Sequence, residues 1–144
     1  MCETCFGLQK SGYVCFNDLG FQLINKVEND ILSFLSDINY KEYHIPALIE
    51  GEVLKKCGYF ESFPNHLTVV GVADRERINQ VLAKKSINKA RVKTLDMYLT
   101  PAACVHIYPM FENKTIVNEC ITTKARVYRY EDGNFVNLRR LWDF

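Results

Sequence analysis

Residues 126–131 read Arg-Val-Tyr-Arg-Tyr-Glu, and residues 139–144 read Arg-Arg-Leu-Trp-Asp-Phe, with a polar segment between them. The first of these belongs to an alternating segment at 121–131, which is typical of a strand. Asp132-Gly133 is a common turn pair between paired strands. The sequence therefore predicts a β-hairpin, with its second strand beginning near Leu141.

Four side chains of this hairpin have the chemistry to hold a nucleoside triphosphate. Arg129 and Glu131 are two residues apart on one strand, so we expect them on the same face. The guanidinium can clamp a phosphate with two parallel hydrogen bonds, and the carboxylate can accept from an exocyclic amine. On the other arm, Arg140 can hold the distal phosphates and Phe144 offers a flat surface for a base. The alternative is an exposed hairpin with ordinary cross-strand charge and aromatic pairs.

Two further stretches extend the pattern along the chain: residues 58–64 read Gly-Tyr-Phe-Glu-Ser-Phe-Pro, and residues 100–104 read Thr-Pro-Ala-Ala-Cys. The hairpin resembles motif 2 of class II aminoacyl-tRNA synthetases, which is aromatic-Arg-x-acid, a variable loop, then Arg or His, three residues and Phe. Together, the stretches resemble the amino acid:carrier-protein ligases, which are similar to the zinc-dependent type of seryl-tRNA synthetase without its tRNA-binding arm. The resemblance covers about residues 12–144.

The resemblance implies an enzyme that uses ATP and Mg²⁺ to activate a small amino acid as an aminoacyl-adenylate. The aminoacyl group then passes to the phosphopantetheine thiol of a carrier protein. The resemblance implies that Arg129 contacts the α-phosphate and stabilises charge that develops during adenylation. It also implies that Glu131 reads the adenine side of ATP, that Arg140 reaches the terminal phosphates and that Phe144 stacks on adenine. Such chemistry depends on positioning and electrostatics, so no nucleophilic side chain is expected.

Cys104 stands where this family places the first ligand of a zinc ion that holds the substrate's amino group. A thiolate suits Zn²⁺, and an open coordination position would accept the amine. Without the resemblance, a lone Cys on a helix is typical of a small buried hydrophobe. The family's other two zinc ligands, and motif 3 with a second phosphate-binding Arg, are expected after residue 144. We therefore expect one domain over 1–144, the N-terminal part of a class II catalytic core, inactive alone, with 1–11 as a flexible terminus.

The composition fits one folded domain, with 144 residues, a mass of 16.7 kDa, 48% hydrophobic and 24% charged residues. A net charge of +1 gives no argument for DNA or a membrane surface as a partner. No apolar run approaches the ~20 residues of a membrane span, and the N-terminal residues lack a signal-peptide pattern. We therefore expect a cytoplasmic protein whose six cysteines are reduced thiols.

The spacing of apolar residues predicts the elements that precede the hairpin. A helix is expected from Asn17 or Asp18 to about residue 37. Its predicted buried stripe consists of Phe21, Ile24, Val27, Ile31, Leu35 and Ile38. Two strands are predicted, at 43–48 and 66–72. Three more helices are predicted: one at 50–57 that stops at Gly58, a helix of about ten residues after Asp74, and a helix that begins at Thr100-Pro101. In the helix after Asp74, the residues predicted to face inward are Ile78, Val81 and Leu82.

Other polar residues carry weaker signals. The basic residues of 84–93 indicate either a solvated loop or a docking patch for an acidic partner. Cys2 and Cys5 have metal-clip spacing, but no second pair follows, so a frayed terminus is favoured. The remaining cysteines are expected in the core: Cys15, Cys57 and Cys120. The histidines are expected to be structural: His44, His66 and His106.

These observations predict an α+β fold, an antiparallel sheet with helices packed on it, in which an exposed edge can pair with a second copy. One hypothesis for function is the amino-acid-activating ligase, with a carrier protein rather than tRNA as acceptor because 1–144 contain no coiled-coil arm. A second hypothesis is a non-catalytic paralogue that binds a partner or dimerises. A third is an unrelated α+β domain in which the hairpin pattern arose by chance.

Overall fold

The computed structural model describes residues 6–8, 14–85, 87, 91–130 and 139–143. The helices of the described residues are α1 (Asp18–Leu35), α2 (Gly51–Lys56), α3 (Tyr59–Ser62), α4 (Ile78–Lys84) and α5 (Ile107–Met110). The strands are β1 (Phe6–Leu8), β2 (Val14–Phe16), β3 (Tyr40–Tyr43), β4 (Leu48–Glu50), β5 (Val69–Ala73), β6 (Val92–Leu99), β7 (Cys120–Thr123), β8 (Ala125–Arg129) and β9 (Arg139–Asp143). Short 3₁₀ turns lie at Pro64–His66, Arg75–Arg77 and Cys104–His106.

The strands form small sheets, most of which are antiparallel. Strand β6 lies between β4 and β5 in a three-stranded antiparallel sheet, and β8 and β9 form an antiparallel hairpin. Strands β1 and β2 are antiparallel, whereas β3 and β7 are parallel neighbours. This arrangement confirms the predicted α+β class, in which helices flank an antiparallel sheet.

The main chain of Thr100 joins the three-stranded sheet to the hairpin. Thr100 follows β6 and is fully buried. Its N–H donates to the Ala47 carbonyl oxygen at 2.9 Å, and its carbonyl oxygen accepts from the Tyr128 N–H at 2.8 Å. Strand β8 is therefore held beside the loop that precedes β4.

The side chain of Thr100 adds a second pair of contacts. Its hydroxyl lies 3.0 Å from the Pro46 carbonyl oxygen and 2.9 Å from Nε2 of His106. Thr100 was expected to cap a helix that starts with Pro101, but the helical turn begins only at Cys104. The hydroxyl is engaged by Pro46 and His106, and it does not act as an N-cap.

A cluster of buried side chains packs against Tyr98 of the three-stranded sheet. Ile49, Leu54, Tyr59 and Val105 are at most 8% exposed and pack together, so β4, α2, α3 and the turn at 104–106 share one core. The ring of Tyr98 meets Phe60 edge-on, with centroids 5.5 Å apart. This core holds α3 and the turn at 104–106 against β4 and α2.

Helix α1 confirms the predicted boundaries but not the predicted buried stripe. The Asn17 side chain caps the helix by accepting from the Gly20 N–H at 2.9 Å. Phe21 and Val27, expected in the core, are each 50% exposed. Glu28 is buried in their place, and its Oε2 accepts from Nζ of Lys124 at 3.0 Å. The buried side of α1 therefore carries a salt bridge between Glu28 and Lys124.

Other elements differ from the predicted boundaries. The strand expected at 43–48 is two strands, β3 and β4, separated by a loop that contains Pro46. The alternating segment at 121–131 is also divided, since β7 pairs with β3 whereas β8 pairs with β9. Strand β6 was not predicted. Residues 6–8, within the terminus expected to be flexible, pair with β2.

Three side chains differ from the prediction in how far they are exposed to solvent. Leu82 and Ile78 of α4 were expected to face inward but are 67% and 41% exposed. Arg91, one of the basic residues at 84–93, is buried, and its Nε donates to Oε1 of Gln80. Lys89 lies outside the described residues. In the part of the chain that the structure describes, no helix is long and apolar enough to cross a membrane.

Candidate functional site

Arg129 is the last residue of β8 and is half-buried. Its Nε donates a 2.7 Å hydrogen bond to the carbonyl oxygen of Pro101, and Pro101 itself is fully buried. A guanidinium presents its donors in a rigid planar fork, so fixing Nε also fixes the direction of the other nitrogens. Arg129 is thus held by the Thr-Pro-Ala-Ala-Cys stretch that the sequence singled out.

Arg129 and Cys104 line one cavity of about 310 Å³. The walls come mainly from aromatic and apolar residues of the segments at 59–63 and 102–108, which include Tyr59, Phe63, Ala102, Val105 and Tyr108. The two sequence-predicted residues that the structure describes with their side chains therefore meet at the same place. A cavity of this size and lining, with few polar groups, is typical of a small-molecule site.

Cys57 is a third residue of this cavity, and the sequence analysis placed it wrongly. Cys57 and Cys104 are both exposed thiols, although Cys57 was expected in the core. Partial burial raises the pKa of the Cys57 thiol, and the neighbouring Cys104 raises it further. Cys57 is the C-cap residue of α2, one position after Lys56. Cys15 is likewise exposed and Cys120 is half-buried.

Tyr108 completes this group of reactive side chains. A hydrogen bond with Cys104 is the main cause that raises the pKa of the Tyr108 hydroxyl, and the charges of Cys104 and Cys57 add to it. Tyr108 is 60% exposed and lines the same cavity as Cys57 and Cys104.

His66 also lines the cavity, which the sequence analysis did not anticipate. Its ring stacks on Phe63, with centroids 5.4 Å apart and planes inclined by 16°. Its carbonyl oxygen accepts from the N–H of Tyr130 at 3.0 Å, which ties the end of the hairpin to the turn after α3. The signal available in the sequence was its position two residues after the stretch at 58–64.

His106 belongs to the same 3₁₀ turn as Cys104 and Val105, which line the cavity. Burial lowers the pKa of its imidazole. The single hydroxyl proton of Thr100 is directed at the Pro46 carbonyl, so the same oxygen accepts from His106, whose Nε2 carries the hydrogen. The prediction that His106 is structural agrees with these contacts.

The hairpin register sets the positions of the remaining predicted residues. Arg129 lies opposite Arg139, and Tyr128 lies opposite Arg140. The register partner of Arg129 is thus Arg139, one position before the Arg that the resemblance assigns to the phosphates. Glu131 and Phe144 lie outside the described residues.

The residues described around Cys104 do not form a zinc site. Nowhere in the described residues do three or more His, Cys, Asp or Glu side chains lie close enough together to hold a metal ion. Catalytic zinc needs three protein ligands, and Cys104 has a thiol neighbour in Cys57 but no third donor in the described part of the chain.

Comparison with known proteins identifies the fold. No protein-family model matches the chain, and no curated protein matches its sequence. Among solved structures, a seryl-tRNA synthetase of M. kandleri, solved in complex with A. aeolicus tRNASec, has a TM-score of 0.71 at 15% identity, over 93% of this chain and 30% of that one. The RNA-binding domain of threonyl-tRNA synthetase from Cryptosporidium parvum has a TM-score of 0.67 at 13% identity, over 96% of this chain and 32% of that one.

Giardia lamblia prolyl-tRNA synthetase in complex with prolyl-adenylate gives a TM-score of 0.63 at 17% identity, over 90% of this chain and 25% of that one. The chain therefore has the fold of class II aminoacyl-tRNA synthetases. It spans less than a third of the length of each of these three structures. At these identities the likeness establishes the fold.

Proposed function

We propose that this chain carries the first part of an ATP-dependent amino-acid-activating site of the class II synthetase type. The observation that carries the proposal is the position of Arg129, anchored to Pro101 beside a cavity that Cys104 also lines. Adenylation moves negative charge onto the α-phosphate, and a guanidinium that is already oriented stabilises that charge without reorganising. The resemblance assigns this contact to Arg129.

The cavity supports a small amino acid as the second substrate. Its volume of about 310 Å³ lies at the lower end of the range typical of ligand pockets. Its aromatic walls leave room for a short side chain, and Arg129 lies at the same cavity, where the carboxylate and the α-phosphate have to meet. ATP and Mg²⁺ are the proposed cofactors, and zinc would require ligands beyond those described.

A phosphopantetheine thiol of a carrier protein is the proposed acceptor. The resemblance of the stretches at 58–64 and 100–104 to the carrier-protein ligases supports this choice over tRNA. The competing acceptor is tRNA, since one structural neighbour was solved with bound tRNA. Transfer of the amino acid to each acceptor, measured directly, distinguishes a carrier protein from tRNA.

The test is transfer of a labelled small amino acid by the product of the whole gene, with ATP and Mg²⁺ present. Three acceptors are compared: a carrier protein with its phosphopantetheine arm, the same carrier protein without the arm, and bulk tRNA. We expect label only on the carrier protein that bears the arm. Label on tRNA would replace the proposed acceptor, and no label on any acceptor would contradict transfer.

A specific feature of α1 favours a second candidate, a binding or dimerising module. Four large apolar residues on one side of α1 are at least half exposed: Leu19, Leu23, Val27 and Phe34. Their spacing of four, four and seven residues places them in one row along the helix. An exposed row of this kind is typical of a surface that is covered by a partner, and a second copy of the chain is the proposed partner.

Sedimentation velocity tests this second candidate. The wild-type chain is expected to be a dimer that Val27→Glu converts to a monomer. Asn29→Glu, on the polar side of the same helix, is the matched control and should leave the dimer intact. A wild-type monomer at high concentration would exclude the dimer.

A further inference from the structure

Helix α4 exposes two large apolar side chains on one side. Ile78 is 41% exposed and Leu82 is 67% exposed. They are four residues apart, so they are neighbours in one row along the helix. Because burial of apolar surface is favourable, a row that stays in contact with water is stabilised when another surface covers it.

The opposite side of α4 is the one that contacts the rest of the chain through Arg91. Gln80 lies about 160° around the helix axis from both Ile78 and Leu82, since an α-helix turns by about 100° per residue. Its Oε1 accepts a hydrogen bond from Nε of Arg91, and Arg91 is buried. The row of Ile78 and Leu82 therefore points away from this contact.

A basic side chain stands near each end of the row. Arg75 precedes Ile78 by three residues, and Lys85 follows Leu82 by three. Both basic residues are exposed, and within the described residues no carboxylate forms an ion pair with either of them. Residues 75–85 contain four basic residues and one acidic residue, whereas the whole chain has a net charge of only +1. The positive charge is thus concentrated around the apolar row.

We propose that this side of α4 docks an acidic amphipathic helix of a partner protein. Ile78 and Leu82 pack into the apolar stripe of that helix, and Arg75 and Lys85 face carboxylates that border the stripe. Charge complementarity selects an acidic partner over a basic one. The aliphatic row offers no flat ring on which a base can stack, which favours a protein over single-stranded nucleic acid.

The docking surface is separate from the candidate active site. None of these four residues lines the cavity that contains Arg129. The inference therefore does not rest on the proposed function, and the test below requires neither ATP nor an amino acid.

Fluorescence anisotropy with three labelled helical peptides of about 18 residues tests the surface. The first peptide has Leu on one side of the helix and Glu on the other, the second has Lys in place of Glu, and the third has Ser in place of Leu. We expect the chain to bind only the first. Raising NaCl from about 0.05 M to about 0.5 M should weaken that binding, because salt screens exposed charges. Failure of the first peptide to bind, or equal binding of the first two, would overturn the proposal.

Charge reversal tests the two ends of the row. Arg75→Glu combined with Lys85→Glu should weaken binding of the first peptide by about tenfold or more. Lys26→Glu combined with Lys55→Glu is the matched control, because it makes the same change in net charge at two exposed positions outside 75–85. An equal loss in both double variants would reduce the interaction to general charge attraction and contradict the proposal.

An apolar substitution tests the row itself. Leu82→Ser should weaken binding of the first peptide by about fivefold or more, because an apolar contact is lost. Val117→Ser is the matched control, since Val117 is 68% exposed, and it should bind as the wild type does. The far-ultraviolet spectra of all the variants should match that of the wild type. If bulk tRNA bound more tightly than the first peptide and Arg75→Glu with Lys85→Glu abolished that binding, the surface would belong to a nucleic acid and the proposal would fail.

Discussion

Nε of Arg129 donates a 2.7 Å hydrogen bond to the carbonyl oxygen of Pro101, although the two residues are 28 positions apart. This bond connects two of the stretches that carry the family resemblance, the Thr-Pro-Ala-Ala-Cys segment and the hairpin. A hydrogen bond from a charged donor contributes about 1.5–3 kcal/mol, so it holds the side chain in one orientation. The orientation places the guanidinium beside the cavity that Cys104 and Cys57 also line.

Replacing Arg129 with lysine should weaken ATP binding by about tenfold or more, because lysine has no planar fork and cannot hold a phosphate while bonded to Pro101. The measurement is titration of the chain with a fluorescent ATP analogue in the presence of Mg²⁺. Arg126→Lys, on the same strand and exposed, is the control and should bind as the wild type does. Equal affinities for both variants would remove Arg129 from the nucleotide site.

Thr100→Val should destabilise the fold by about 2 kcal/mol or more. Valine has nearly the shape of threonine but removes the hydroxyl of the fully buried Thr100, which bonds the Pro46 carbonyl oxygen and Nε2 of His106, and the loss of a buried hydrogen-bond partner costs about 1–3 kcal/mol. Urea unfolding followed by fluorescence gives the change in free energy. Thr94→Val, at an exposed position of β6, should cost little, and similar losses in both variants would contradict this account.

Stability should fall as the pH drops below the ordinary pKa of histidine, about 6.5. Burial lowers the pKa of His106 in the folded state, so in this range the unfolded chain binds a proton that the folded chain does not. The stabilisation is complete above pH 6.5 and decreases on acidification until the folded-state pKa is reached.

Urea unfolding at pH 7.5 and at pH 5.5 measures this dependence. In His106→Gln, the free energy of unfolding should fall less between pH 7.5 and pH 5.5 than it does in the wild type. His44→Gln, at an exposed position, is the matched control and should show the wild-type loss. A His106→Gln protein with an unchanged pH dependence would show that another group is responsible.

Gly58→Ala should cost about 1–2 kcal/mol. Gly58 has a φ of 67° between α2 and α3, in the left-handed region that a Cβ disfavours. Gly58→Asn should cost less, because asparagine adopts this conformation more readily. Thermal unfolding of the two variants gives the comparison, and an alanine variant as stable as the asparagine variant would contradict the assignment.

Features set by local sequence were predictable. The cap at Asn17, the end of α2 before Gly58 and the β8–β9 hairpin depend on residues close together in the chain, and the structure confirms all three. Strand β6 was missed because residues 93–96 are all exposed and do not alternate, so no period of two is visible.

Features that depend on distant contacts were not predictable. Glu28 is buried because Lys124, which lies 96 positions later in the chain, supplies the opposite charge. In the site, the chemistry of Arg129 and Cys104 could be inferred from their stretches. The hydrogen bond to Pro101, the stacking of His66 on Phe63 and the exposure of Cys57 arise only when separate segments pack.

The most direct test of amino-acid activation is ATP–pyrophosphate exchange by the product of the whole gene, surveyed across the amino acids. The account predicts exchange that depends on a small amino acid and falls at least about a hundredfold in Arg129→Ala, as when a transition-state donor is removed. Arg126→Ala should keep the wild-type rate. Exchange that no amino acid stimulates, or that survives in Arg129→Ala, would contradict the claim that this cavity activates amino acids.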